Sequence, residues 1–378
     1  MKKIFTLVLL AALAMVMPVY ASAPAKMIVL TDKAGASFVP LSLLKSYQGV
    51  SVTWNESQKK AEIIKNGTTL SLVAGSTSAW VNDKKMTLTS SAFRENGTTY
   101  VPLQFIAQQL GFQAKWNNNT SSVLLTAGKD SMTLPVTARG SISTSTKPVT
   151  AAKKTFNVGG RSFSAQVVTI SMLDPRVQLD VALAGNQVGK VEDLRSIAKR
   201  NQAVVAINGT FFDAYTKGSI KTPYGYIVSS GKILKPSPAD KRVIFTYDSN
   251  QLAQLIPGLS FNSFYDTGEI QGALQAGPRL VANGQVALDV KGEGFRDPKI
   301  LTGGGARSAL GITKDHKLIL LTTGGATIPQ LAQIMKQAGA YQAMNLDGGA
   351  SSGLYYNGSY LTSPGRQISN ALIVKLVN

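Results

Sequence analysis

Short stretches in the C-terminal half place polar or charged side chains beside or one residue from glycine, a pattern that brings ligands close to backbone. Asn208 closes the apolar run "AVVAIN" and is followed by "GTFFD"; Asp347 closes "AMNL" and is followed by Gly348 and Gly349. Glycine at such points leaves room for a ligand and lets N–H groups bind oxygens. Arg307 follows three glycines in "GGGARSALG", and Arg366 lies in "SPGRQISNALIV". Neither arginine has an obligatory acidic neighbour in sequence, and a guanidinium binds phosphate in bidentate fashion. Taken singly, each of these residues reads equally as a turn or a surface ion pair. Their concentration in one region favours a site for an anionic ligand.

Two alternative chemistries fail on the residues themselves. Gly349-Ala350-Ser351-Ser352-Gly353 fits the G-x-S-x-G pattern of a serine nucleophile, which requires a histidine later in the chain. The only histidine, His316, precedes Ser351 and sits in "TKDHKL", which reads as a solvated turn. A phosphate-binding G-x-x-x-x-G-K-[ST] loop is absent, and "TGGGARSALG" lacks dinucleotide spacing.

The elements that position these residues are legible. "VEDLRSIAKR" sets Val191, Leu194, Ile197 and Ala198 on one helical face. "TIPQLAQIMKQAGA" does so with Leu331, Ile334, Met335 and Ala338, ending at Gly339. Each helix feeds a short strand that ends on a candidate residue, Asn208 or Asp347. Hairpin signals occur in "YIVSSGKIL", "RLVANGQVAL" and "LGITKDHKLILL". Many hairpins with few helices predict an α+β fold, a mixed sheet with flanking helices, rather than a doubly wound parallel sheet.

The motifs "AINGTFFD", "AGPRLV", "ARSALGIT", "NLDGGASSGL" and "GRQISNALIV" follow the order of the phosphodiester glycosidase family, which this region, residues 154–378, resembles. The resemblance implies hydrolysis of a sugar-1-phosphodiester, such as one of N-acetylglucosamine. Matched motif by motif, it implies substrate-binding roles for Asn208, Gly209, Phe212, Arg307, Asn345, Gly348, Gly349, Ser351 and Arg366. Ala350 stands where the family often has a third glycine. Cleavage at an anomeric carbon builds positive charge on the sugar, so a carboxylate beside it helps. Asp347 is the expected catalytic carboxylate, with Glu293 in "KGEGFRD" and Asp213 in "FFD" as candidates for a second. A phosphomonoester leaves as a stable anion, so arginines can stabilise it in place of a protonating acid.

Upstream, residues 26–128 contain a repeat: Pro40 matches Pro102 and Trp54 matches Trp116, both at an offset of 62 (102 − 40 and 116 − 54). Each unit reads as an extended piece, a Pro-started amphipathic helix and two strands, with Val39, Leu41, Leu44, Trp54 and their counterparts as core. The duplicated unit, a smaller α+β module, resembles the stalk module called the copper amine oxidase N-terminal-like domain. It has no histidine or cysteine to bind copper, and a spacer or wall-associated role is expected. Residues 129–153, rich in Ser, Thr and Pro, read as a flexible linker.

Composition bounds the rest. The 378 residues are 44% hydrophobic, contain no cysteine and carry a formal charge of +19. Lys2 and Lys3 before an apolar run, then small residues, predict a signal peptide over 1–21 and a protein that is secreted or associated with the cell wall. Without cysteine it relies on its core and not on disulfides. The charge favours an anionic envelope polymer or a sugar-phosphate substrate as partner. No nucleic-acid motif is present, and membrane contact is expected only through the signal segment. No cofactor and no metal ligand set are assigned. A non-catalytic wall-polymer binder and an oxygen-ligated metal phosphodiesterase are the alternative readings.

Overall fold

The 62-residue spacing recurs in the backbone, and the repeat is longer than the sequence pattern indicates. In the computed structural model, which describes residues 26–142 and 145–377, strand Lys60–Lys65 has its counterpart in Ser122–Ala127, and Thr68–Val73 in Asp130–Ala138. The expected signal peptide lies outside the described residues. Asp130–Ala138 therefore corrects the reading of 129–153 as linker. It is the third strand of the second unit, its Leu134 fully buried. The next strand already begins at Val149, leaving only residues 139–148 between the domains. Its Ser and Thr read as linker because Ser131, Thr133 and Thr137 hold exposed or partly exposed positions of a strand whose buried residues are Leu134 and Pro135 alone.

In the first unit the segment after Pro40 is a six-residue 3-10 turn, Leu41–Ser46; in the second it is an α-helix, Leu103–Leu110. Val39, Leu41, Leu44, Val101, Leu103 and Ile106 are buried as expected, and Trp54 is partly buried against this core. Trp116 is not core: it is 46% exposed on a strand with no buried residue.

The C-terminal domain is α+β and mostly strand. A seven-stranded sheet and two five-stranded sheets, antiparallel throughout, enclose one apolar core to which Val168, Leu320, Val205, Leu372, Phe245 and Leu274 contribute. Strand Lys317–Ala326 shows why it reads as a continuous apolar run. Leu318 and Leu320 face that core, whereas Ile319 and Leu321 face helix Ile328–Gln337 on the other side. The helix starts with a reciprocal capping box between Thr327 and Gln330. It packs close to the sheet because Gly311 offers no side chain where Met335 and Ala340 approach. Helix Leu194–Arg200 covers the outer face of the second sheet through Leu194, Ile197 and Ala198. All three predicted hairpins form. Among the described residues no helix is long and apolar enough to cross a membrane.

The two domains are fastened together. Leu173 of the C-terminal domain enters an N-terminal cluster with Ile28, Leu30, Phe38, Phe93 and Tyr100. The Lys26 ammonium donates to the carbonyls of Met172, Asp174 and Val177. His316, expected in a solvated turn, is only 2% exposed and corrects that reading. Its Nε2–H donates to the carbonyls of Ser121 and Val136, each at 3.0 Å. The turn is real, with His316 in the left-handed region at φ 56°, but the N-terminal domain covers it.

Burial pushes the imidazole pKa down, so the neutral ring belongs to the assembled state. The stabilisation is present above the unfolded value of about 6.5 and is lost as pH falls below it. His316→Ala is expected to speed proteolysis within residues 139–148 at neutral pH, and wild-type protein to show the same increase on acidification. Cleavage independent of both changes would remove His316 as a fastener.

Candidate active site

Three strand ends meet where the second sheet leaves the seven-stranded one, and the short polar side chains there tie them together. Asn208 ends strand Val205–Asn208 and is buried. Its Oδ1 accepts from Ser308 Oγ at 2.7 Å and from Gly353 N at 3.0 Å, while its Nδ2 donates to the Asp347 carbonyl at 2.7 Å. The Asp347 N–H in turn donates to the Gly209 carbonyl at 3.1 Å. Gly209 is obligatory, because a Cβ there would collide with Asn370 Oδ1. That oxygen accepts the Thr210 N–H, and Asn370 Nδ2 donates to Thr210 Oγ1 at 2.7 Å and to Ser369 Oγ at 2.8 Å.

This frame presents the half-buried Asp347 carboxyl. Burial raises its pKa to about 6, against the lowering effects of the Ser351 hydroxyl, the Gly348 N–H and the charge of Arg366. Ser351 is buried beside it in the turn Gly349–Ser351, which Gly349 opens at φ 62°. Arg366 donates from Nη2 to Tyr215 Oη at 2.9 Å and lies over the Tyr215 ring, 4.9 Å from its centroid. That hydrogen bond, the Arg366 charge and Lys299 lower the Tyr215 pKa. Arg307 is buried. Its Nε donates to the Ala326 carbonyl at 2.9 Å, and its Nη2 to those of Lys299 and Gly303, both at 2.7 Å. Its Nη1 makes no hydrogen bond among the described residues and faces the place where a Gly348 Cβ would be. Asp347 thus feels the charge of Arg366, while Arg307, whose Nη1 faces the neighbouring Gly348, has Asp297 as the acid acting on it; the two guanidinium groups suit a phosphodiester.

Other expected residues lie further out. Glu293 spends both carboxylate oxygens on backbone, accepting from Val243 N at 2.9 Å and Arg279 N at 2.7 Å, and burial raises its pKa. None of its described contacts reaches Asp347 or Arg366. Asn345 is fully buried, its Nδ2 donating to the Gly277 carbonyl, and its Oδ1 has no partner among the described residues. Phe212 is half-buried and bridges to Pro223. Asp213 caps its own turn by accepting the Thr216 N–H, in the same exposed loop that carries Tyr215. Four residues escaped the sequence reading: Ser308, Asn370, Tyr215 and Lys299. Ser308 and Asn370 lie within the motifs "ARSALGIT" and "GRQISNALIV", whereas Tyr215 and Lys299 are marked by no pattern. Among the described residues no group of three or more His, Asp or Glu side chains is placed to hold a metal ion.

Residues 201–375 match the phosphodiester glycosidase family model. Residues 24–125 match the copper amine oxidase N-terminal domain model. Asn208, Arg307, Asp347 and Arg366 all fall within the phosphodiester glycosidase match. Among solved structures, a hypothetical protein from Synechocystis is similar at a TM-score of 0.55 and 16% identity over 90% of this chain and 94% of that one, so the likeness runs through both domains. The catalytic domain of zebrafish N-acetylglucosamine-1-phosphodiester alpha-N-acetylglucosaminidase, described as auto-inhibited by its pro-peptide, is similar at a TM-score of 0.53 and 21% identity. That likeness covers 62% of this chain and 85% of the zebrafish one. At these identities the shared property is the fold. No curated protein sequence matches the chain.

Proposed function

We propose that the protein hydrolyses the glycosidic bond of a sugar-1-phosphodiester, with an N-acetylglucosamine-like sugar and an envelope polymer or glycan as the source. The observation that carries this reading is the convergence of Asp347 with Arg366 on a glycine-lined surface. Ionised Asp347 stabilises the positive charge that develops at the anomeric carbon. Arg366 and the free edge of Arg307 hold the phosphate as it departs, so the leaving group needs no proton. Water adds to the anomeric carbon, the carbon–oxygen bond breaks, and a phosphomonoester leaves. Asp213 is the preferred candidate for activating that water, because its loop carries Tyr215, which Arg366 contacts, whereas Glu293 is engaged with backbone. A secreted or wall-associated location and an anionic polymer partner accord with the charge of +19.

The test offers an α-linked N-acetylglucosamine-1-phosphodiester in isotope-labelled water. Label on the sugar supports the proposal, and label on the phosphate means phosphorus–oxygen cleavage. Tight polymer binding without release of sugar indicates the non-catalytic alternative. Because the carboxylate is the working form, kcat/KM is expected to rise with pH through about 6. A rate that falls through that value assigns Asp347 as a proton donor instead.

A further inference from the structure

An open cleft shares Arg366 with the candidate site. It is lined by Asp193, Arg195, Ser196, Tyr360, Pro364 and Arg366 among others. We propose that this cleft is a leaving-group subsite for a chain carrying a second phosphate, a reading that rests on the phosphodiester glycosidase function above.

The two sites are one body. Gly353 follows the Asp347 turn, and a Cβ on it would collide with Pro364 and press on Leu194, so the cleft walls and the turn are in direct contact. Ala350 accepts the Gly365 N–H at 2.7 Å, closing the same joint. Arg366 belongs to both sites: its charge acts on Asp347, and its side chain forms cleft wall. A phosphodiester held at Arg366 with its sugar toward Asp347 therefore has its other ester arm directed into the cleft.

Arg195 is the group that arm meets. Its guanidinium lies over the Tyr360 ring, 4.7 Å from the centroid, and forms no ion pair among the described residues. The ring is fixed, because Tyr360 Oη accepts the Arg195 N–H at 2.9 Å and Tyr355 packs edge-on against it at 6.2 Å. A cation parked on a held aromatic face with its donors open is a receptor for an oxyanion. Asp193 also lines the cleft, which thus holds two cations and one anion. Serine hydroxyls at 196 and 363 suit a hydroxylated spacer such as glycerol.

Two donors separate the possibilities: an N-acetylglucosamine-1-phosphate methyl diester with one phosphate, and the same sugar phosphate extended by glycerol phosphate. Wild-type full-length protein is expected to show a KM about tenfold lower for the two-phosphate donor at low salt, an advantage that shrinks at high salt. Arg195→Gln is expected to erase the advantage while turning over the one-phosphate donor as wild type does, and Asp193→Asn to enlarge it. Equal KM for both donors in wild type, or no loss in Arg195→Gln, overturns the subsite. Should neither donor be hydrolysed, the glycosidase reading falls, and calorimetry with a glycerol phosphate oligomer judges the cleft. Weaker binding by Arg195→Gln then upholds it, and equal binding removes it.

Discussion

Asp347→Asn is expected to abolish turnover and, at the same time, to make the C-terminal domain more stable at neutral pH. The loss follows from removing the one carboxylate that the frame of Asn208, Gly209 and Ser308 presents, and is put at roughly a thousandfold or more in kcat. The gain follows from its surroundings. Burial raises the Asp347 pKa from 3.8 to about 6, so the folded protein binds this proton more tightly than the unfolded chain does. Stability is therefore lost as pH rises through that interval, and above about 6 the ionised group is a net burden. With solvent screening of the half-buried group, removing the charge returns about 1 kcal/mol, or roughly 2–4 °C in melting temperature. Asparagine keeps an oxygen for the Ser351 hydroxyl and the Gly348 N–H. The difference in melting temperature is expected above pH 6 and to vanish near pH 4. A variant that retains full activity ends the catalytic role, and one that melts lower at neutral pH ends the account of its burial.

Arg307→Met is expected to cost far more stability than a typical substrate-binding arginine. Three carbonyls, those of Ala326, Lys299 and Gly303, receive their hydrogen bonds from this guanidinium. Methionine fills much of the volume but leaves the buried Ala326 carbonyl unpaired and hands the part-buried carbonyls of Lys299 and Gly303 to water, at roughly 2–4 kcal/mol in sum. Arg307→Lys recovers only part, because one ammonium cannot span acceptors that the planar fork reaches together. Denaturant unfolding measures the cost, and inorganic phosphate affinity measures the remaining role of Nη1. If Arg307→Met unfolds within about 1 kcal/mol of wild type while losing phosphate affinity, the residue is a ligand and not a brace.

The strands and helices were legible because their side-chain periods are local. Leu194, Ile197, Leu331 and Ile334 announce their helices, and the turns in "VSSGK" and "VANGQ" announce hairpins. The candidate site was legible as motifs but not as an arrangement. Nothing in "GARSALG" indicates that Arg307 faces three carbonyls, since those acceptors come from the segments around Lys299, Gly303 and Ala326. Nothing in "KGEGFRD" indicates that Glu293 is occupied by the N–H groups of Val243 and Arg279. His316 shows the same limit more sharply. Its turn chemistry is visible in "TKDHKL", but its burial depends on the carbonyls of Ser121 and Val136, 195 and 180 positions away. Trp116 is the converse case, where an exact repeat spacing transferred a packing role that the second unit does not use.

The position of Lys26 bears on what the N-terminal domain can do mechanically. Because its ammonium is held by Met172, Asp174 and Val177, the chain enters the N-terminal domain beside the C-terminal one and not at the remote tip. With His316 held by Ser121 and Val136 as well, the N-terminal domain is clasped at two separate points, so lengthening the 139–148 connection alone would leave the bearing of one domain on the other unchanged.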